Sequence, residues 1–267
     1  MKKYISFFRM RLQVGLQYRA AFISGLATQL PWGLMECLAY QALSGSNAGA
    51  MPMEYTALVS YMWLRQAFFV LFNTWSADND IFDMIMNGGI AYELCRPVSI
   101  YNMWFVRNIG GRISATALRF WPILLVASFL PKPYNLKPPK DMTCLLLFLL
   151  TMMLALCVTV SFCMLVYMLC FFTISPQGVR MVLTGAVEFL SGALIPIPFM
   201  PSAVRRVIEL LPFASMQNVP LRIYSGDLSG EAMLRAVVLQ IIWIGILGGL
   251  GKLLCKVAER RVVVQGG

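Results

Sequence analysis

The chain contains no histidine. The side chain that most often serves as general base, proton relay or zinc ligand near neutral pH is therefore missing. Charge is scarce too: Asp, Glu, Lys and Arg make up 13% of the 267 residues, about half the share of an ordinary soluble domain. There are 12 acidic residues against 22 basic ones, and no acidic motif recurs. The seven cysteines, Cys37, Cys95, Cys144, Cys157, Cys163, Cys170 and Cys255, include no Cys-x-x-Cys pair. Most lie within or beside apolar runs, so they are expected to be small buried hydrophobes rather than a disulfide framework.

What the chain has in quantity is apolar surface: 59% of its residues are hydrophobic. They come in long runs rather than alternating faces, which a bilayer accommodates and a soluble fold of this size does not. The runs are roughly 20–43, 55–75, 113–130, 143–172, 179–195 and 236–254, predicting an all-α polytopic membrane protein with six transmembrane helices in a single domain, 1–267. The first run carries Pro31 and Glu36 and exceeds the core of a cleaved signal peptide, despite the downstream Ala48-Gly49-Ala50. It is expected to be retained. At about 1.5 Å per residue the fourth run exceeds the ~30 Å hydrocarbon core and must tilt or project.

Residues 1–18 predict an amphipathic interfacial helix, with Ile5, Phe8, Leu12 and Leu16 on one face and Lys2, Ser6, Arg9, Gln13 and Gln17 opposite. The net charge of +10 would suggest nucleic acid in a soluble protein. Here the basic residues sit at the ends of apolar runs, so they are assigned to topology and to membrane lipid, with no nucleic-acid partner. With both termini inside, the inner segments carry thirteen of the 22 basic residues and the outer ones seven; Arg65 and Arg119 fall within spans. That bias places the N- and C-termini in the cytoplasm. Lys132, Lys137 and Lys140 in the third-to-fourth loop run against it.

Four features bear on chemistry. Gly248-Gly249-Leu250-Gly251-Lys252 resembles a phosphate-binding loop but has Ile246 where the pattern needs glycine and Leu253 where it needs Ser or Thr. Gly245 and Gly249 fit close helix packing instead, and no nucleotide site is expected in this chain. Glu36, Arg65, Arg119 and Glu188 fall inside apolar runs, where an ionisable group is costly unless paired or wet. Arg65 is expected to pair with Glu36 or Glu188, either as a structural ion pair or on a substrate path.

The polar stretch 77–112 contains Asp80–Pro97, in which a short helix carries Ile81, Asp83 and Ile85. Gly88-Gly89 breaks it, and a second short helix with Leu94 and Arg96 stops at Pro97. Ile81, Ile85 and Leu94 are expected to be available for docking a partner. In the stretch 196–233, Pro196, Pro198 and Pro201 break the chain, Ser202–Leu211 forms a short helix, and Pro212 stops it. Non-helical backbone at membrane depth has to be shielded by protein or line a cavity, which predicts a re-entrant hairpin between spans five and six. A cytosolic tail, 255–267, ends the chain.

The amphipathic start, six runs, helical loop and proline-marked hairpin together resemble the type-2 ATP-binding-cassette exporter permeases. The subgroup it is most similar to has a glycine-turn segment ending in Leu-x-Arg-Pro, matched by Leu94, Arg96 and Pro97. Gly192-Ala193-Leu194-Ile195-Pro196 and Leu211-Pro212-Phe213 look like that family as well. The resemblance implies a permease in a bacterial plasma membrane, non-catalytic by itself. It would pair with a second permease, identical or related, and with two cytosolic ATPase subunits that bind ATP and Mg. The segment Asp80–Pro97 would then be the coupling element, and the cargo an amphipathic or lipid-like compound, drug or peptide. The rivals are an ion-coupled secondary transporter and a lipid-acting membrane enzyme. The first predicts repeats and more buried carboxylates than Glu36 and Glu188; the second predicts clustered catalytic groups at one membrane face.

Overall fold

The computed structural model describes residues 2–16, 19–46, 51–75, 78–173 and 176–260. Gln17, Ala48-Gly49-Ala50, Ala77 and most of the tail, Arg261–Gly267, lie outside the described residues. Among those described there is no strand; the elements are α1 (Lys2–Leu16), α2 (Arg19–Ser46), α3 (Tyr55–Ala67), α4 (Phe69–Phe72), α5 (Asn79–Met86), α6 (Ile90–Leu94), α7 (Ile100–Phe129), α8 (Met142–Cys170), α9 (Pro176–Leu190), α10 (Ser202–Leu210), α11 (Asn218–Tyr224) and α12 (Gly230–Glu259).

Three of these, α7, α8 and α12, are long and apolar enough to cross a membrane. The expectation of six such helices is thereby narrowed. Helix α2 is long enough at 28 residues, but Gln29, Glu36 and Gln41 dilute its apolar character. Helix α3 runs for 13 residues and then kinks at Phe68, whose φ and ψ are −103° and 15°. The backbone ladder resumes through Leu71 N–H to Phe68 O, 2.9 Å, into α4. Helix α9 has 15 residues, about 23 Å of rise, short of the ~30 Å core. The chain leaves it through Gly192, whose φ of 81° is the left-handed region that favours glycine.

The core centres on α8, which packs against α12, α11, α9 and α7. Its buried side includes Leu156, Val160, Met164 and Tyr167. Helix α2 approaches α3 closely because residue 33 has no side chain: a Cβ on Gly33 would lie 2.9 Å from Cζ3 of the buried Trp63. Gly251 of α12 gives Tyr101 of α7 its place in the same way. Gly245 and Gly249, expected to be the packing glycines of α12, meet nothing within 4 Å in this chain.

Helix α1 packs on α7, with Phe8 and Arg11 over Gly110. Tyr4, Phe7, Phe8, Arg11 and Leu12 are half-buried, whereas Ile5 is 63% exposed. The side facing protein is therefore rotated from the apolar side expected from sequence, and Ile5 is left exposed. The proline-marked stretch forms a small core of Ile197, Met200, Ile208 and Ala214. Helix α11, buried from Asn218 to Ile223, packs against α8 and α3. Arg222 is held there by Glu209 at 2.8 Å and Asp227 at 2.5 Å.

Candidate functional site

Three of the four charges that the sequence sets inside apolar runs, Glu36, Arg65 and Glu188, converge on one cavity. Gly33 brings α2 against α3, and one turn further along α2 the Glu36 carboxylate meets the Arg65 guanidinium in an ion pair. Glu36 also accepts hydrogen bonds from Trp32 Nε1, 2.8 Å, and Gln66 Nε2, 3.1 Å. Arg65, 4% exposed, donates its second arm to the Ala193 carbonyl in the turn after α9. The pair thus ties three segments together. Beside it lies a cavity of about 310 Å³ walled by Trp32, Phe69 and Leu194, with Glu36, Arg65 and Glu188 as its charged lining.

Of the two carboxylates that the sequence offers to Arg65, the structure selects Glu36. Glu188 reaches the same cavity, but its carboxylate makes no ion pair or hydrogen bond among the described residues. The lining thus sets two carboxyl groups, Glu36 and Glu188, against the single guanidinium of Arg65. Apolar walls with one unbalanced carboxylate suit an amphipathic molecule with a positive group. Arg119 lies elsewhere, against Gly25 of α2.

The second cluster lies around α5. Asp78 caps this helix by accepting from Asp80 N–H, 3.1 Å. The Arg107 guanidinium of α7 clamps Asp78 through both carboxylate oxygens and reaches Asp80 at 2.5 Å. Tyr167 Oη of α8 accepts from Asp78 N–H, 2.7 Å, and from Asn108 Nδ2, 3.0 Å. Arg112 caps the end of α4 by donating to the carbonyls of Val70, Leu71 and Asn73 at 3.2, 3.1 and 2.7 Å. Arg180 of α9 donates to Asn79 Oδ1, 2.7 Å, and Trp75 O, 3.0 Å, with its guanidinium 4.6 Å from the Phe82 ring centroid. Arg11 of α1 stands beside this cluster: burial, then repulsion from Arg107, lowers its pKa, and Asp78, Asp80 and Glu93 partly offset that.

Arginines from α7 and α9 therefore hold the loop rigidly to the helices. The sequence showed Arg107, Arg112 and Arg180 only as topology markers. Their one recognisable signal was position, near the starts of the apolar runs 113–130 and 179–195.

The expected docking residues divide into two groups. Ile81 is fully buried and Ile85 half-buried, so Ile81 anchors α5 inward instead of being available for docking. Asp83, Gly88, Leu94, Arg96 and Pro97 are exposed, and Gly89 half-buried. Gly88 turns the chain between α5 and α6 with φ at 72°. Tyr92, 80% exposed, and Met86, 44% exposed, join that outer face, and Glu93 braces Arg96 at 3.6 Å.

A helical membrane protein with a charged cavity within its apolar helices and a clamped two-helix loop at one end fits the membrane subunit of a transporter. The profile of the ABC-2 family transporter proteins matches residues 37–266, and the chain belongs to that family. It is thus an ABC transporter permease, of a kind that works with separate ATPase subunits and is itself non-catalytic. No curated protein matches the chain.

Proposed function

We propose that this permease exports an amphipathic compound from the cell, using the cavity between α2, α3 and α9 as its substrate path. The observation that carries the proposal is the cavity's composition: Trp32, Phe69 and Leu194 against the Glu36–Arg65 pair and the lone Glu188 carboxylate. Helices α2, α3 with α4, and α9 complete six membrane passes with α7, α8 and α12. Both termini are cytoplasmic, in a bacterial plasma membrane. The stretch 196–233 is a re-entrant hairpin at the outer face, whose small core shields its irregular backbone.

Two permeases, identical or related, face one another and join two cytosolic ATPases, which bind the ATP and Mg. The outer face of α5 and α6, with Asp83, Leu94, Arg96 and Pro97, docks an ATPase. Because Arg107, Arg112 and Arg180 bind that loop to α7, α4 and α9, its displacement on ATP closure moves whole helices. The motion switches the cavity from inward to outward access.

The test is transport by the permease reconstituted in proteoliposomes with the ATPase that copurifies with it. Efflux of cationic amphipathic dyes, dependent on ATP and lowered at least about tenfold by Glu188→Gln, is expected. Equal dye movement without ATP, or with Glu188→Gln, rules the proposal out.

A further inference from the structure

A second cavity, of about 480 Å³, lies between the start of α7 and the last turns of α12, lined by Ser99, Tyr101, Lys252, Lys256, Leu94 and Glu259 among others. Four observations bear on its ligand. Helix α7 is 30 residues long and begins here with Ser99 as its cap, so a positive helix end borders the space. Lys252 and Lys256 outweigh Glu259, leaving one net positive charge on the lining. Tyr101 lines the cavity at 4% exposure, yet its hydroxyl has no hydrogen-bond partner. The Lys252 ammonium stands 6.0 Å from the Tyr101 ring centroid. A buried hydroxyl without a partner is costly, and an anion accepting from Tyr101 and the two lysines would satisfy it.

We propose that this cavity binds the phosphate headgroup of an anionic phospholipid of the cytoplasmic leaflet. The leaflet assignment rests on the orientation given above; the binding chemistry does not. A free phosphate would leave most of the volume to solvent, since one water occupies only about 30 Å³ of liquid. Leu253 and Val257 of α12, 59% and 39% exposed, adjoin Lys256 on the helix surface. They offer an apolar strip for acyl chains at the depth where a membrane-spanning helix leaves the hydrocarbon. Because Leu94 lines the same cavity, a bound lipid also braces the end of the ATPase-docking loop against α12.

Native mass spectrometry of the full chain in mild detergent tests this, with palmitoyl-oleoyl phosphatidylglycerol, the matching phosphatidylcholine, and glycerol phosphate as the free headgroup. Retention of phosphatidylglycerol about tenfold over phosphatidylcholine is expected. Lys252→Gln with Lys256→Gln should lower it at least about tenfold. Tyr101→Phe keeps the ring and its packing and should lower it about fivefold. Arg235→Gln, at the opposite end of α12, should leave it unchanged.

Equal retention of the two lipids, or undiminished retention by the lysine variant and by Tyr101→Phe, overturns the site. So does displacement of the lipid by an equal concentration of glycerol phosphate, which makes the occupant a free phosphate compound. Loss of a bound ATPase in the lysine variant with lipid retention unchanged makes the cavity a protein contact and overturns it too. Detergent exposes both ends of the protein, so protease accessibility of a C-terminal tag in sealed vesicles reports orientation separately. An external tag with lipid bound overturns the leaflet assignment and the orientation, whereas a cytoplasmic tag with no lipid bound overturns the lipid site alone.

Discussion

Replacing Glu36 by glutamine probes the ion pair at the centre of the molecule. The amide keeps the shape of the carboxylate and can still accept from Trp32 Nε1, now 2.8 Å away, so the principal loss is charge. Arg65, 4% exposed, is left with the Ala193 carbonyl and the more distant Glu188. Breaking one side of a buried ion pair costs about 3–5 kcal/mol in soluble proteins. Polar pairs between membrane helices average about 0.6 kcal/mol and reach about 1.7. Arg65 lies between these cases, buried at its base but bordering a cavity of about 310 Å³. Glu36→Gln should therefore cost about 1.5–3 kcal/mol.

Arg65→Met removes the charge and should cost a similar amount by leaving Glu36 unpaired. The double variant leaves neither charge, so its cost should fall below the sum by about 1–2 kcal/mol. Equilibrium unfolding in mixed detergent micelles, followed by tryptophan fluorescence, measures all four corners of the cycle. Additivity within about 0.5 kcal/mol would refute the pairing.

Arg107→Leu should destabilise the protein by about 2–3 kcal/mol, because Asp78 and Asp80 lose their clamp, and raise hydrogen exchange in α5 above that of α8. Equal protection in wild type and variant contradicts the clamp. Gly33→Ala should cost about 1–3 kcal/mol in unfolding experiments, since the added carbon meets the buried Trp63 ring; a neutral result means that α2 and α3 are not in close contact.

The Glu54 carboxyl, tied to Thr56 and Lys137, is held below its ordinary range first by the Thr56 hydroxyl and then by Lys137. Its folded pKa lies below the unfolded one, so this contribution is complete above the unfolded carboxylate range of about 4.3 and is lost as pH falls through the folded value. Acidification from about pH 6 to about pH 3 should speed proteolysis of the loop between α7 and α8 that carries Lys137, and Glu54→Gln should flatten that dependence.

The sequence revealed the helical class and the three long apolar helices, because apolar runs of that length have few other uses. It also marked Glu36 and Arg65, because charge inside such a run has to be compensated. It did not reveal that α3 kinks at Phe68 or that α9 stops at Leu190. Helix length there depends on tertiary packing and on the left-handed turn at Gly192, whereas hydropathy runs on to Ile195. The face of α5 was misjudged for a related reason: Ile81 and Ile85 both look like docking residues, but the clamp on Asp78 rotates Ile81 into the core. The roles of Arg107, Arg112 and Arg180 were invisible because the loop partners they clamp lie 27 to 105 residues away in sequence. Tyr101 and Lys252 come together only through Gly251.

The most direct measurement is copurification from the native host in mild detergent, quantified by mass spectrometry, for the wild type and for Leu94→Ser with Arg96→Glu. Both side chains are exposed on the loop, where Arg96 contacts only Glu93 at 3.6 Å and Met103 Sδ at 4.0 Å and Leu94 borders the cavity against α12. An ABC ATPase should come with the wild-type chain in stoichiometric amount, together with a second permease, and should be reduced about tenfold or more with the inserted variant. Recovery of the chain without an ATPase, or equal ATPase recovery with the variant, would contradict the assignment of this loop as the point where ATP drives the permease.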